Sequence, residues 1–179
     1  MMQELKIAGA RIGVIIGKGG ETKKKLEDAS QTSILVDSKE GVVRVEGENT
    51  ESVLRMVEVL NAINRGFSPE RAFSLLEDED LLFDFIDLSG LTDSPRQLDR
   101  LRGRIIGRDG HAREQIEHMT GASISVLGKT VAMIGLPDQI KLARTAIDML
   151  INGVPHETVF SFLERKRREG KQDMLSYYY

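Results

Sequence analysis

Two short glycine loops hold the residue pattern in this chain that could do chemistry. Gly17-Lys18-Gly19-Gly20 and Gly107-Arg108-Asp109-Gly110 are both G-x-x-G tetrapeptides, and each follows an Ile-Ile pair. Glycine lets a backbone come within hydrogen-bond range of a ligand and adopt conformations that other residues resist. Each loop opens a segment of helical periodicity, where free N–H groups and the helix dipole favour anions. Lys18, Lys23, Arg108 and Arg113 add positive charge around them. The chemistry on offer is phosphate contact. Asp109 sets a carboxylate beside the second phosphate position, so the two loops are expected to differ in strength.

Other uses of a glycine loop fit poorly. A Walker loop needs four residues between glycines and then Gly-Lys-Ser/Thr. Gly13-Val14-Ile15-Ile16-Gly17-Lys18-Gly19 has three, and glycine follows the lysine. The dinucleotide fingerprint fails too, because no long buried strand leads directly into the glycines. His111 and His118 lie two turns apart on one helix, with His156 elsewhere, and read as surface histidines. No paired carboxylates accompany them. A metal site, a cofactor and a catalytic residue are therefore not expected, and the chain is read as a non-enzyme.

The elements that must position the loops come in two copies. Gly13–Gly20 returns as Gly103–Gly110 and Ile34 and Val36 return as Ile124 and Val126, at an offset of 90. Val43 and Gly47 return at 88, and Gly66, Glu70 and Phe73 at 87. The lost residues fall where turns belong. A repeat this long is two domains, placed at 1–76 and 77–169, with 77–99 as an acidic connection that includes the first strand of copy two and 170–179 as a flexible tail.

Each copy reads β-α-loop-α-β-β-α with an added helix, a small α+β fold. In copy two, Leu82–Leu88 alternates as a strand, and Ser94-Pro95 caps a helix running to Ile106. Ala112, Ile116 and Met119 then follow at helical spacing until Gly121. Strands 122–127 and 130–134 turn at Gly128-Lys129, and Ile140, Ala143, Ile147 and Leu150 stripe the next helix. Copy one has strands near 5–7, 33–36 and 42–46, a helix over 21–30, and a helix striped by Val53, Val57, Leu60 and Ile63. The added helices are expected over 69–76 and about 156–168. Arg165-Lys166-Arg167-Arg168 either suits the helix dipole or meets RNA backbone or an acidic partner.

Composition agrees with a globular protein. Of 179 residues 40% are hydrophobic and 30% charged, with no Cys. This excludes a disulfide framework and a thiolate metal site. No apolar run could span a membrane and no secretory signal opens the chain, so a cytoplasmic protein is expected. The net charge of −3 hides a distribution: 0 over residues 1–76, −7 over 77–99 and +4 over 100–179. Local charge governs phosphate binding, because distant charge is screened.

The I-I-G-x-x-G stretches, in matching frames within helix–loop–helix segments, resemble the KH family of RNA-binding domains in their type I order. The resemblance covers nearly the whole chain, twice. It implies that each loop clamps a single-stranded RNA backbone of about four nucleotides. The bases would lie between the second helix and the second strand. Carried onto this sequence, the RNA-binding set is Ile16, Gly17, Lys18, Gly19, Gly20, Lys23, Leu26, Ile34 and Val36, then Arg104, Ile106, Gly107, Arg108, Asp109, Gly110, Arg113, Ile116, Ile124 and Val126. Most of the aliphatics must also serve the core. Lys23 and Arg113 stand where many KH domains carry an aliphatic residue; they either contact phosphate or form a solvated face. No aromatic lies on either surface, unlike the stacking platforms of RRM and OB modules.

Leu101–Arg108, Gly128–Gly135, Gly153–His156 and Phe162–Glu169 are similar to the archaeal two-KH ribosome-assembly factors of the Dim-two type. That similarity implies binding near the 3′ end of small-subunit ribosomal RNA during its final processing. It also implies contact with the Nob endonuclease, and with the alpha subunit of an archaeal translation initiation factor. Two other functions fit the same residues: a general single-stranded RNA-binding accessory factor, as in RNA decay, and a KH-fold protein–protein adaptor.

Overall fold

The computed structural model describes residues 1–178. Backbone contacts divide the chain into two units, Met1–Phe83 and the residues from Asp84 onward. Each holds one loop.

The first unit begins with β1 (Met2–Lys6), α1 (Gly9–Ile16), the loop, and α2 (Glu21–Ser30). It continues with β2 (Ser33–Asp37), β3 (Val42–Glu46), α3 (Thr50–Asn64) and α4 (Pro69–Glu77). Its antiparallel sheet has the order β1-β3-β2, so β2 is an edge strand beside α2. The register pairs Ile34 with Val45 and Val36 with Val43. Alternation then sends Ile34, Val43 and Val45 inward, where all three are fully buried. Val53, Met56, Leu60 and Ile63 bring the stripe of α3 into the same core. The first strand begins at Met2, earlier than the expected Leu5, because its backbone pairs along β3 from Glu46 to Val42. Asn49 caps α3 by accepting the Ser52 amide, and Ser68 followed by Pro69 starts α4.

The second unit repeats the order: β4 (Leu82–Asp87), α5 (Pro95–Ile106), the second loop, α6 (His111–Thr120), β5 (Ser123–Leu127), β6 (Thr130–Gly135), α7 (Pro137–Ile151) and α8 (His156–Tyr178). Its sheet order is β4-β6-β5. Ile105, Ile116, Ile124, Val131, Met133, Ile147 and Leu150 form the core, with Val159 and Leu163 of α8 packed into it. The β-α-α-β-β-α pattern with an added helix is thus present in both units.

Helix α5 starts at Ser94-Pro95 and ends at Ile106, as the sequence implies, and its 12 residues exceed the 8 of α1 by about one turn. One helix end differs from the sequence reading. Helix α8 does not stop near Arg168; it runs to Tyr178, so the stretch expected as a flexible tail is helical through that residue. Beyond Glu164 its described residues are all exposed. The acidic stretch holds a connection and the first strand of the second unit. Asp78–Leu81 is a turn, held where Arg55 donates to the carbonyls of Asp78 and Glu79 at 3.0 and 2.9 Å, and β4 follows at once. No helix is long and apolar enough to cross a membrane among the described residues.

Candidate nucleic-acid interface

The two loops adopt one backbone. Gly17 ends α1 at φ 73°, ψ 177°, and Gly107 ends α5 at φ 73°, ψ 178°. Only glycine occupies that region readily. The packing repeats the demand, because a Cβ at Gly17 would lie 2.1 Å from Thr22 Oγ1, and one at Gly107 would lie 2.6 Å from the Ala112 Cβ. The Gly17 and Gly107 amides donate to Gly13 and Gly103 at 2.9 and 2.8 Å, closing each helix.

The next residues rise away from the fold. Gly19 (φ 62°, ψ 20°) and Asp109 (φ 56°, ψ 27°) hold the same left-handed conformation. Gly20 and Gly110 follow at φ 77° each. A Cβ at Gly19 or Gly20 would meet no atom within 4 Å. The loop backbone between the fixed first glycine and the second helix is therefore open to a ligand. Lys18 and Arg108 are exposed at its tip, and Lys24 and Lys25 are exposed on α2.

The expected groove residues separate into layers. Ile16, Val36, Ile106 and Val126 are half-buried and reach the surface beside α2 and α6. Leu26, Ile34, Ile116 and Ile124 are at most 1% exposed. These four are core beneath the groove and not its wall, because the inward alternation of each strand and the inner stripe of each helix send them to the domain centre.

Lys23 and Arg113 are committed to carboxylates. Lys23 Nζ pairs with Glu27 Oε1 at 3.3 Å, and the other oxygen of Glu27 accepts the Ile34 amide at 2.9 Å. Arg113 pairs with Glu117, whose second oxygen accepts the Ile124 amide at 2.8 Å. Each Glu thus braces the second helix to the open edge of β2 or β5. The sequence reading missed this brace, although Lys23/Arg113, Glu27/Glu117 and Ile34/Ile124 all recur at the offset of 90.

Arg104 does not face the loop's ligand side. Its Nε and Nη2 donate to the carbonyls of Leu150 and Val154 at 3.0 and 2.8 Å, and its own carbonyl lies 2.7 Å from His156 Nε2. These contacts tie α5 to the end of α7 and the start of α8. Arg104 is a positioning residue for the fold, since α7's last carbonyls need donors that the helix itself cannot supply. Arg165 and Lys166 lie over the Phe162 ring at 5.7 and 6.0 Å, and Arg168 reaches Glu164 at 3.5 Å, so the basic turn of α8 is largely engaged within its own helix.

Comparison with known proteins agrees with this geometry. Residues 82–168 match the model of a PNO1 second domain, a eukaryotic-type KH domain (KH-domain type I), and residues 2–62 match the KH domain model. A KH domain-containing protein of Methanocaldococcus jannaschii is 38% identical over 172 residues, which cover 94% of this chain and 75% of that protein. The pre-rRNA-processing protein PNO1 of Chaetomium thermophilum is 29% identical over 117 residues, covering 64% of this chain and 45% of its own. This chain therefore aligns with about half of that longer relative. Among solved structures, the matched chain in an a/eIF2alpha–aDim2p–rRNA complex from Pyrococcus horikoshii OT3 is 46% identical, with a TM-score of 0.88 over 94% of this chain and 95% of the other. With two KH units in series, and this identity along nearly its whole length, the chain belongs to the family of tandem KH-domain proteins of the PNO1 (Dim2) type.

Proposed function

We propose that this protein is a non-catalytic RNA-binding factor of pre-rRNA processing that holds single-stranded RNA on its two glycine loops. The observation that carries the reading is the duplicated loop backbone: a first glycine locked by packing, then an open left-handed turn with a cation at its tip. Such a surface suits a phosphodiester chain. Relatives named for pre-rRNA processing, and a neighbour solved with ribosomal RNA, favour a ribosomal target. The finer reading places it at the 3′ end of small-subunit ribosomal RNA, in the cytoplasm. There it would recruit or regulate a Nob-type endonuclease. Contact with an initiation-factor alpha subunit is favoured by the composition of the neighbouring complex.

The test is the double substitution Lys18→Asp with Gly19→Asp, alone and combined with Arg108→Asp. Copy two already holds an Asp in the conformation of Gly19, so the backbone accepts it. Each loop should contribute roughly two to three phosphate contacts, and its loss should flatten the log–log salt slope by about 1.4 to 2.1. Affinity for single-stranded RNA should fall at least about tenfold per loop. Unchanged affinity and slope in the folded triple variant would remove the loops as clamps and leave the adaptor reading. RNA recovered by crosslinking in cells, sequenced, decides between pre-rRNA and general RNA.

A further inference from the structure

We infer that the second domain carries an additional phosphate track along α5, formed by Arg96 and Arg100, which lengthens its RNA footprint beyond the loop. This rests on the reading of the loops as RNA clamps. Arg96, Arg100, Gly103 and Gly107 are spaced i, i+4, i+7 and i+11 and so lie along one side of the helix. Arg96, Arg100 and Gly103 are all exposed. Eleven residues of helix carry that line about 17 Å back from the loop. Gly103 leaves the backbone bare in the middle of it: a Cβ there would meet nothing within 4 Å. A polyanion leaving the Arg108 tip can thus lie close to the helix and meet two further guanidinium groups.

The two arginines have no structural work to explain them. Neither is held in an ion pair or side-chain hydrogen bond among the described residues, whereas Arg102 pairs with Asp99 at 3.6 Å and Arg104 ties α7. Arg96 sits in the first turn of α5, where the helix dipole disfavours cations, and no acidic residue occupies that turn. The nearest carboxylates in sequence are Asp99, engaged by Arg102, and Asp93, exposed before the cap. Domain one has no counterpart. At the offset of 90 its residues are Lys6, in β1, and Ala10, and α1 starts only at Gly9. The extra turn of α5 supplies Arg96, and Arg100 stands where α1 has Ala10.

The experiment uses the full chain with loop one disabled by Lys18→Asp and Gly19→Asp, so that domain two is read alone. Fluorescent single-stranded oligoribonucleotides of increasing length are titrated at several salt concentrations, against this protein and against Arg96→Gln/Arg100→Gln. The parent should gain affinity as the RNA grows past the roughly four nucleotides of the clamp. The variant should lose that gain and show a salt slope smaller by about 1.4, at one contact per arginine. It should keep the parent's affinity for the shortest RNA. Arg96→Lys/Arg100→Lys, which keeps both charges, should restore the gain. An identical length dependence in the Gln variant would overturn the track while leaving the clamps in place. Loss of the shortest RNA as well would assign the arginines to the clamp itself and overturn the track. Absence of any RNA binding by the unmodified protein would remove both readings together.

Discussion

The guanidinium of Arg104 donates to the Val154 carbonyl at 2.8 Å, and Arg11 stands in the same relation to Phe67 at 2.9 Å. The second acceptors correspond as well, Leu150 for Arg104 and Ile63 for Arg11. The acceptors are related by the repeat at an offset of 87, while the donors are 93 apart. The donor has moved about one turn along its helix and kept its task.

Arg104→Gln should therefore act on stability. It strips two charge-assisted bonds from partly buried carbonyls, which costs about 1–3 kcal/mol. The salt slope of RNA binding should not change. Arg108→Gln should do the reverse, with a slope smaller by about 0.7 and an unfolding midpoint close to that of the parent. Urea titration beside RNA titration reads both, and a slope change from Arg104→Gln would return that residue to the RNA surface.

Glu117→Ala should destabilise the second domain by about 1–3 kcal/mol, because the Ile124 amide loses its acceptor in a partly buried place. Arg113 loses its partner at the same time. Glu27→Ala should cost less, since its side chain is 26% exposed against 13% for Glu117 and water can replace it. Hydrogen exchange at the Ile124 and Ile34 amides measures the two directly; protection unchanged from the parent after either substitution would show that the carboxylate is not the brace.

Within a loop, the glycines should rank by packing. Gly17→Ala and Gly107→Ala force a Cβ into Thr22 or Ala112 at a backbone angle that only glycine favours, and should cost about 2–4 kcal/mol. Gly19→Ala enters open space in an ordinary left-handed turn and should cost about 1 kcal/mol. Thermal melts order the three variants, and equal losses would contradict the packing argument.

Asp109→Gly should strengthen both folding and binding. The left-handed strain of Asp109 is relieved, partly offset by a freer unfolded chain, for a net gain of a few tenths to about 1 kcal/mol. Removing a carboxylate from beside the phosphate should raise RNA affinity about two- to fivefold at low salt, the scale of one screened charge contact. No change in affinity would place the RNA backbone away from that residue.

The sequence made the repeat, the order of elements and the loop glycines legible because each has a local cause. Alternation marks β2 and β5, Ser94-Pro95 marks the start of α5, and the φ of Gly17 follows from ending one helix just before another. Depth was not legible. Ile16 and Leu26 are both aliphatic neighbours of the loop, yet one reaches the surface and the other is sealed, a difference set by tertiary packing. Pairing was not legible either. Lys23 reads as a free cation until Glu27 and the edge of β2 are seen together, and Arg11 and Arg104 do not align in the repeat although they do equivalent work. The length of α8 escaped because Gly170 suggested a stop, which the continuing helix ignores.

The left-handed positions are filled differently in the two copies. At the loop, copy one holds Gly19 and copy two Asp109; at the end of the following helix, copy one holds Gln31 at φ 54° and copy two Gly121 at φ 82°. Each copy holds glycine where the other holds a residue for which the left-handed backbone is costlier. Copying Gly121 onto position 31 and Gly19 onto position 109 would therefore relieve both strained positions on a backbone the two halves already share.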